Sequence, residues 1–278
     1  MCRRSPVGSD VSSVSDDLED DMQKVSSADG TTIAYERFGS GPKVILVPGA
    51  LCDRSALRPL AVALAGDYDV VMYDRRGRGD SGDGTPYAVQ REVDDIGALL
   101  TAVGGTAAVY GHSSGAALTA IAASTGLPFT QVVLHEPPYG PDDADSDEDG
   151  GRVLDLLRED RRQEAVELFL MMAGVPREAA LETAAAPGVA DLAPTLAYDF
   201  AVMDHGTPGG RVPVDLLRTI KQETLVVAGT ASPPFMVDAA HRIVSILPAA
   251  RYAELADQGH VVPPELLAPV LRDFLSRR

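Results

Sequence analysis

The chain alternates short, continuous apolar runs with longer segments whose apolar residues recur at helical spacing. Runs typical of buried parallel strands occupy 44–49, 68–74, 106–111, 131–136, 224–229 and 251–256. Two further strand-like runs, 22–27 and 31–38, flank Asp29-Gly30, a pattern that favours a hairpin. Helical periodicity covers 54–65, 87–103, 114–125, 235–246 and 264–276. This order predicts an α/β fold with a mostly parallel, twisted sheet and helices on both faces.

The alternation breaks between the fourth and fifth buried runs. Only helical patterns occur there, at 151–173, 176–186 and 189–205. An all-helical insertion at this point lies over the carboxyl ends of the strands, where open α/β sheets bind ligands. We therefore expect a disordered acidic tail over 1–22 and a helical cap over 139–215. The α/β core is expected in two parts, 23–138 and 216–278. The acidic segment 142–149 is either a hinge of the cap or a solvated linker.

Charge and composition narrow the class of partner. The chain has 24 basic and 41 acidic residues, a net charge of -17, so neither nucleic acid nor an anionic membrane is expected to bind. No apolar run approaches the roughly 20 residues of a membrane span, and the N-terminus has no signal-sequence pattern. The two cysteines and scattered histidines predict no metal site, and no cofactor motif is present. We expect a soluble, cytoplasmic protein with a small-molecule partner and leave its oligomeric state open.

The strongest chemical signal is the pentapeptide at 111–115, Gly-His-Ser-Ser-Gly, between a buried strand and a helix. This is the context of the G-x-S-x-G elbow, in which a sharp turn lifts the middle serine clear of the sheet. The alternative is a tight turn whose serine only caps the helix. On the first interpretation Ser113 is a nucleophile, and it requires a base to take its proton.

The base is expected after the last strand, and His260 lies there, in a loop that Gly259 allows to turn inward. The other four histidines fit less well. His112 is the variable elbow residue, His135 ends a strand, His205 lies in the helical insertion and His241 lies in a helix.

These features resemble the α/β-hydrolase superfamily. Residues 74–81, DRRGRGDS, are similar to the D-x-R-G-x-G-x-S turn of that superfamily, and the helical insertion is similar to its cap. The resemblance implies a catalytic acid after the penultimate strand, but Ser232 stands at that place. Either the triad is broken or the acid comes from elsewhere. Glu136, at the end of the strand after the nucleophile helix, is the first candidate and Asp238 the second.

Three motifs together most closely resemble the zearalenone lactonases, which open a macrocyclic resorcylic lactone with Ser, Glu and His. The motifs are G-x-S-S-G-A at 111–116, H-E-x-P at 135–138 and G-x-A-[ST]-P at 229–233. The resemblance assigns the triad to Ser113, Glu136 and His260. It also implies an oxyanion hole formed by the backbone N–H groups of Ala50 and Ser114. Those lactonases hold the substrate with a cap tryptophan, and this chain has none.

The expected pocket is apolar. Its candidate substrate-binding residues are Tyr139, Phe200, Met203, His205, Phe235 and Val261. The arginines at 75, 76 and 78 either bind an anion or stabilise their turn by pairing with Asp74 or Asp80. The expectation is a cofactor-independent hydrolase of an apolar or aromatic ester or lactone. A non-hydrolytic cyclase of the same fold and a non-catalytic receptor are the alternatives.

Overall fold

The computed structural model describes residues 22–140, 148–207 and 209–277. The predicted tail over 1–22, apart from Met22, lies outside the described residues. Most of the acidic segment 142–149 does so as well, and the structure therefore tests neither prediction.

A twisted sheet forms the centre of the described chain. Its strands are β1 Gln23–Ser26, β2 Thr32–Phe38, β3 Lys43–Val47, β4 Asp69–Tyr73, β5 Ala107–His112, β6 Phe129–His135, β7 Thr224–Gly229 and β8 Ala250–Leu255. Their order across the sheet is β1-β2-β4-β3-β5-β6-β7-β8. The β1–β2 and β2–β4 pairs are antiparallel and the other pairs are parallel. The predicted mostly parallel sheet is confirmed.

Helices cover both faces of this sheet. They are α1 Arg58–Leu64, α2 Val89–Ala102, α3 Ser114–Ser124, α10 Pro234–Ile246 and α11 Pro264–Leu275. Successive strand residues point to opposite faces, so Ile45 and Val47 pack with α2, α3 and α10, whereas Val44 and Leu46 pack with α1 and α11. Because both faces are covered, the central strands are continuous apolar runs.

The insertion between β6 and β7 is helical in its described part. It contains α4 Glu148–Arg158, α5 Arg162–Met172, α6 Arg177–Ala184, α7 Val189–Leu192, α8 Leu196–Met203 and α9 Val214–Leu217. Apolar side chains from α4, α5, α6 and α8, including Val153, Val166 and Leu196, form a cluster of their own. This helical layer is called the cap below.

Two predicted cap helices are each divided in the structure. The 151–173 pattern is interrupted between α4 and α5, where Asp160 has a left-handed φ of 55°. The 189–205 pattern splits into α7, a short 3-10 turn over Ala193–Thr195 and α8. Apolar periodicity continues across these breaks because the successive helices bury residues in the same cluster, and periodicity alone does not report a local change of direction.

Candidate active site

Four neighbouring strands bring the predicted polar residues together. The strands β5, β6, β7 and β8 are adjacent and parallel, so their carboxyl ends lie along one edge. Ser113 follows β5, Glu136 follows β6, Ser232 lies beyond β7 and His260 lies beyond β8. Parallel strands are spaced by about 4.8 Å, which places these side chains within reach of one another.

The turn after β5 has the strained geometry of a nucleophile elbow. Ser113 has φ 57° and ψ -128°, and its N–H donates to the carbonyl of His135, 2.9 Å away. The flanking glycines are required by close packing, because a Cβ on Gly111 would lie 2.4 Å from the Gly115 carbonyl oxygen. A Cβ on Gly115 would lie 2.4 Å from the Val47 carbonyl oxygen. A strained residue held by such close contacts is typical of functional sites.

Glu136 contacts the ring of His260. Its Oε2 accepts a 2.6 Å hydrogen bond from His260 Nδ1, and the carboxylate is fully buried. Its Oε1 accepts from the Gly229 N–H at 2.7 Å and from Ser232 Oγ at 2.5 Å. Burial opposes ionisation of this carboxyl, but the hydrogen bonds from His260, Gly229 and Ser232 outweigh burial and lower the pKa of Glu136. Asp238 makes no such contact in the described structure and lies in α10.

Two further histidines, His112 and His135, pack next to the His260 loop. His112 Nε2 donates to the carbonyl of His260 at 2.8 Å, and the two rings have centroids 4.6 Å apart. His135 packs against His112 and is hydrogen-bonded through Nδ1 to the Tyr110 hydroxyl at 2.7 Å. Burial, reinforced by the neighbouring His260, lowers the pKa of His112 to about 4. Burial also lowers the pKa of His135, so both rings are neutral at pH 7 and serve as packing and hydrogen-bonding groups.

The loop after β3 approaches the elbow closely. A Cβ built on Gly49 would lie 3.0 Å from Ser113 Cβ, so glycine permits this approach. Ala50 follows Gly49, and Ser114 is the first residue of α3. Within the described part of the chain, neither the Ala50 nor the Ser114 N–H donates a hydrogen bond to another residue.

A cavity of about 680 Å³ opens above Ser113 and Ser114, between the elbow and the cap. Its apolar wall includes Phe169, Met172, Phe200, Met203, Phe235 and Met236. Three of the six predicted substrate-binding residues, namely Phe200, Met203 and Phe235, thus line it.

The other three predicted lining residues lie elsewhere. Tyr139 is buried in the packing beneath the cap, His205 is exposed, and Val261 is 81% exposed beside the His260 loop. Sequence reasoning missed the carboxylates of Asp149, Asp199 and Asp204, which also line the cavity. Asp149 and Asp204 are exposed at the edge of the cavity, as polar residues usually are, whereas the packing of the cap buries Asp199.

Most of the chain matches the sequence pattern of a known protein family. The sequence pattern of the alpha/beta hydrolase family matches residues 44–269, which include the elbow, the cap and the His260 loop. The chain belongs to the alpha/beta hydrolase family.

An alpha/beta hydrolase from Sphaerobacter thermophilus has a solved structure that is 45% identical in sequence to this chain. The two superpose with a TM-score of 0.84 over 91% of this chain and 100% of that one. An uncharacterized hydrolase of Bacillus subtilis, YraK, is 39% identical over 93 residues, which are 32% of this chain and 34% of that protein. The polyketide synthase ThaQ of Burkholderia thailandensis is 31% identical over 261 residues, 86% of this chain but 12% of the synthase. The chain thus spans about a third or less of the length of these two relatives.

The arginines of the 75–78 turn correct one expectation from the sequence. Each is buried and pairs with carboxylates of α2 or α8: Arg75 with Glu92 and Asp199, Arg76 with Asp95, and Arg78 with Asp199. The expected partners, Asp74 and Asp80, instead bind Arg54. With their guanidinium groups already paired and out of solvent, these arginines are not available as an anion site.

Among the residues that the structure describes, no group of three His, Cys, Asp or Glu side chains is placed to hold a metal ion. Within the same residues, no helix has both the length and the apolarity to cross a bilayer.

Proposed function

We propose that this protein is a cofactor-independent serine hydrolase that cleaves a carboxylic ester or lactone with an apolar or aromatic group. A resorcylic macrolactone of the zearalenone type is the specific candidate. The observation that carries the proposal is the hydrogen bond from His260 Nδ1 to the buried Glu136 carboxylate, beside a serine in elbow geometry. Nδ1 is thereby fixed as a donor, which leaves Nε2 free to act as a base.

In the proposed reaction Ser113 Oγ attacks the carbonyl carbon while His260 Nε2 accepts the hydroxyl proton. The described residues include no hydrogen bond between Ser113 Oγ and the His260 ring, so substrate binding has to complete this contact. Glu136 stabilises the imidazolium that forms, and the N–H groups of Ala50 and Ser114 stabilise the oxyanion. His260 returns the proton to the departing alkoxide, the carbon–oxygen bond breaks, and an acyl-serine remains. Water, deprotonated by His260, then attacks this ester. The bond from the acyl carbon to Ser113 Oγ breaks, His260 returns the proton to Ser113 Oγ, and the acid is released.

The cavity supports an uncharged, apolar substrate. Three phenylalanine rings and three methionine thioethers form most of its apolar wall. The only charged side chains among its described lining residues are the carboxylates of Asp149, Asp199 and Asp204. No described basic side chain lines it. A substrate carboxylate would enter this cavity without a counter-ion, which costs several kcal/mol in a partly desolvated site.

The test is turnover of p-nitrophenyl esters and of a resorcylic macrolactone by the wild type, Ser113→Ala and Glu136→Gln. Asp238→Asn is the matched control, since it removes the other candidate acid. We expect both active-site variants to lose several orders of magnitude while the control keeps its activity. An active Glu136→Gln protein combined with an inactive Asp238→Asn protein would reverse the assignment of the acid. Cleavage of aryl esters without any macrolactone opening would remove the lactone part of the proposal.

A second candidate is a non-hydrolytic cyclase that uses the same acyl-serine. The observation that favours it is the 31% identity to a segment of a polyketide synthase across 86% of this chain. In that case a hydroxyl of the acyl chain itself would attack the acyl-serine in place of water. Mass spectrometry of products from a hydroxyacyl thioester distinguishes the two, since hydrolysis adds one water and cyclisation adds none.

A further inference from the structure

Asp199 is a buried carboxylate of the cap that the proposed reaction does not use. It lies in α8 and is 2% exposed. Its Oδ1 accepts from Arg75 Nη1 at 2.7 Å and from Ser114 Oγ at 2.8 Å, and its Oδ2 accepts from Arg78 Nη2 at 2.8 Å. One cap side chain therefore contacts two arginines of the core and the residue that follows the proposed nucleophile.

Arg78 extends this contact to the loop after β3. Its Nη1 donates a 2.6 Å hydrogen bond to the carbonyl of Gly49, while its Nη2 is held by Asp199. The Gly49 carbonyl and the Ala50 N–H belong to the same planar peptide unit, and in a trans peptide they point in opposite directions. Fixing the Gly49 oxygen against Arg78 therefore fixes the direction of the Ala50 N–H. The charged donor also polarises the peptide unit, which strengthens the N–H as a donor.

The same carboxylate holds the other proposed donor. Ser114 begins α3, and its side-chain hydroxyl is fixed by Asp199. The two N–H groups assigned to the oxyanion hole thus belong to residues whose positions depend, directly or through Arg78, on one aspartate of the cap.

We propose that Asp199 and Arg78 are positioning residues that hold the oxyanion hole in shape and make it depend on a seated cap. This inference rests on the proposed serine-hydrolase function. If α8 left the core, Asp199 would leave with it and Arg78 would lose its anionic partner. The guanidinium group could then turn towards water and release the Gly49 carbonyl. The donors are then aligned only when the cap covers the acyl group.

The test compares two isosteric variants of equally buried carboxylates. Asp199→Asn alters the contact to the oxyanion loop. Asp95→Asn is the matched control, because Asp95 is 1% exposed and pairs with Arg76 of the same turn but contacts neither Gly49 nor Ser114. The readouts are kcat and KM for a p-nitrophenyl ester, the inhibition constant of a trifluoromethyl ketone, which binds as a tetrahedral oxyanion, and the melting temperature.

We expect Asp199→Asn to lower kcat by roughly 10- to 100-fold, below the 10²- to 10³-fold loss of a whole oxyanion donor. The affinity for the ketone falls by a similar factor while KM stays within about twofold, because only the transition state uses the hole. Asp95→Asn lowers the melting temperature but does not lower kcat and ketone affinity at constant KM. Equal kcat losses in the two variants, or a change in KM alone, would overturn the inference.

Arg78→Lys keeps the test decisive if Asp199→Asn does not fold. Lysine retains the charge beside Asp199 but has no second arm for the Gly49 carbonyl, so the same loss of kcat and ketone affinity is expected. A kcat within twofold of the wild type would contradict the inference. A wild type that neither turns over esters nor binds the ketone overturns the proposed function and this inference with it. An active wild type with unaffected variants overturns the inference alone.

Discussion

Ser232 Oγ donates a 2.5 Å hydrogen bond to Glu136 Oε1, on the side of the carboxylate away from His260. Ser232 stands where the sequence pattern of the family leads one to expect the acid, and it contacts the carboxylate that holds the histidine instead. Ser232 therefore still contributes a hydrogen bond to the site. It supplies one of the two donors that fix Oε1, the other being the Gly229 N–H at 2.7 Å.

Removing this hydroxyl is expected to weaken catalysis without abolishing it. In Ser232→Ala the buried carboxylate keeps the Gly229 N–H and His260 but loses one donor, and hydrogen bonds to charged groups contribute about 1.5–3 kcal/mol. We predict a loss of roughly tenfold in kcat with little change in KM, measured by ester turnover. Ser124→Ala is the control, since the Ser124 hydroxyl donates to the Ile121 carbonyl and to no other group of the described residues. An unchanged kcat in Ser232→Ala would show that Oε1 needs no second donor.

Glu136→Gln should be far more damaging, and a second substitution should partly repair it. An amide cannot stabilise the imidazolium, and a comparable loss of the triad acid in a serine protease costs about 10⁴ in kcat. Adding Ser232→Asp to Glu136→Gln returns a carboxylate to the place that the family pattern assigns to the acid. We predict that the double variant recovers at least tenfold over Glu136→Gln alone in single-turnover kinetics.

Ser232→Asp by itself is the control for that experiment. It places a second carboxylate beside Glu136, and two adjacent carboxylates cannot both ionise readily, so one of them takes a proton. We expect this single variant to be less active and less stable than the wild type. If the double variant is no better than Glu136→Gln, then a carboxylate at position 232 does not serve His260.

The sheet and the elbow could be predicted from the sequence because local patterns determine them. Continuous apolar runs, the glycines at 111 and 115, and a histidine after the last strand all report the backbone that surrounds them. The contact between Glu136 and His260 was also predicted, from the order of neighbouring strand ends. Whether Glu136 acts as the acid stays a prediction until the variants are measured.

What the sequence did not predict depends on contacts between distant segments. Arg75 pairs with Asp199, 124 positions later in the chain, and no local pattern indicates that pairing. The inward-facing cap residues were only partly identified, because periodicity gives the apolar face of a helix but not which part of that face covers the core and which part covers the cavity. His205 follows the end of α8 and is exposed, and Tyr139, which precedes the cap helices, is buried in the core.

The acidic lining of the cavity should discriminate between substrates by charge. We predict that an uncharged p-nitrophenyl acyl ester is cleaved with a kcat/KM at least tenfold above that of the hemisuccinate ester of matched length. Asp204→Asn should narrow the difference, because it removes a cavity carboxylate while its Oδ1 still accepts from the Gly209 and Gly210 N–H groups. Added salt should also reduce the difference in kcat/KM between the two esters, since Asp204 is exposed and salt screens its repulsion of the substrate carboxylate. Equal rates for both esters at low salt would contradict the uncharged-substrate proposal.

The histidines behind the site should make the fold sensitive to mild acid. His112 has a pKa lowered to about 4 by burial and by His260, so it stays neutral in the folded state while it protonates near pH 6.5 in the unfolded chain. The unfolded state then binds more protons below pH 6.5, and stability falls as the pH falls. By pH 5 the loss of unfolding free energy from His112 is about 2 kcal/mol, at about 1.4 kcal/mol per pH unit.

Urea unfolding of the wild type and of His112→Asn from pH 7.5 to 5 measures this loss. The free energy of unfolding of the variant should depend less steeply on pH than that of the wild type. His205→Asn provides the matched histidine-to-asparagine control at an exposed position. Parallel curves for the wild type and His112→Asn would mean that His112 takes up its proton in the folded state.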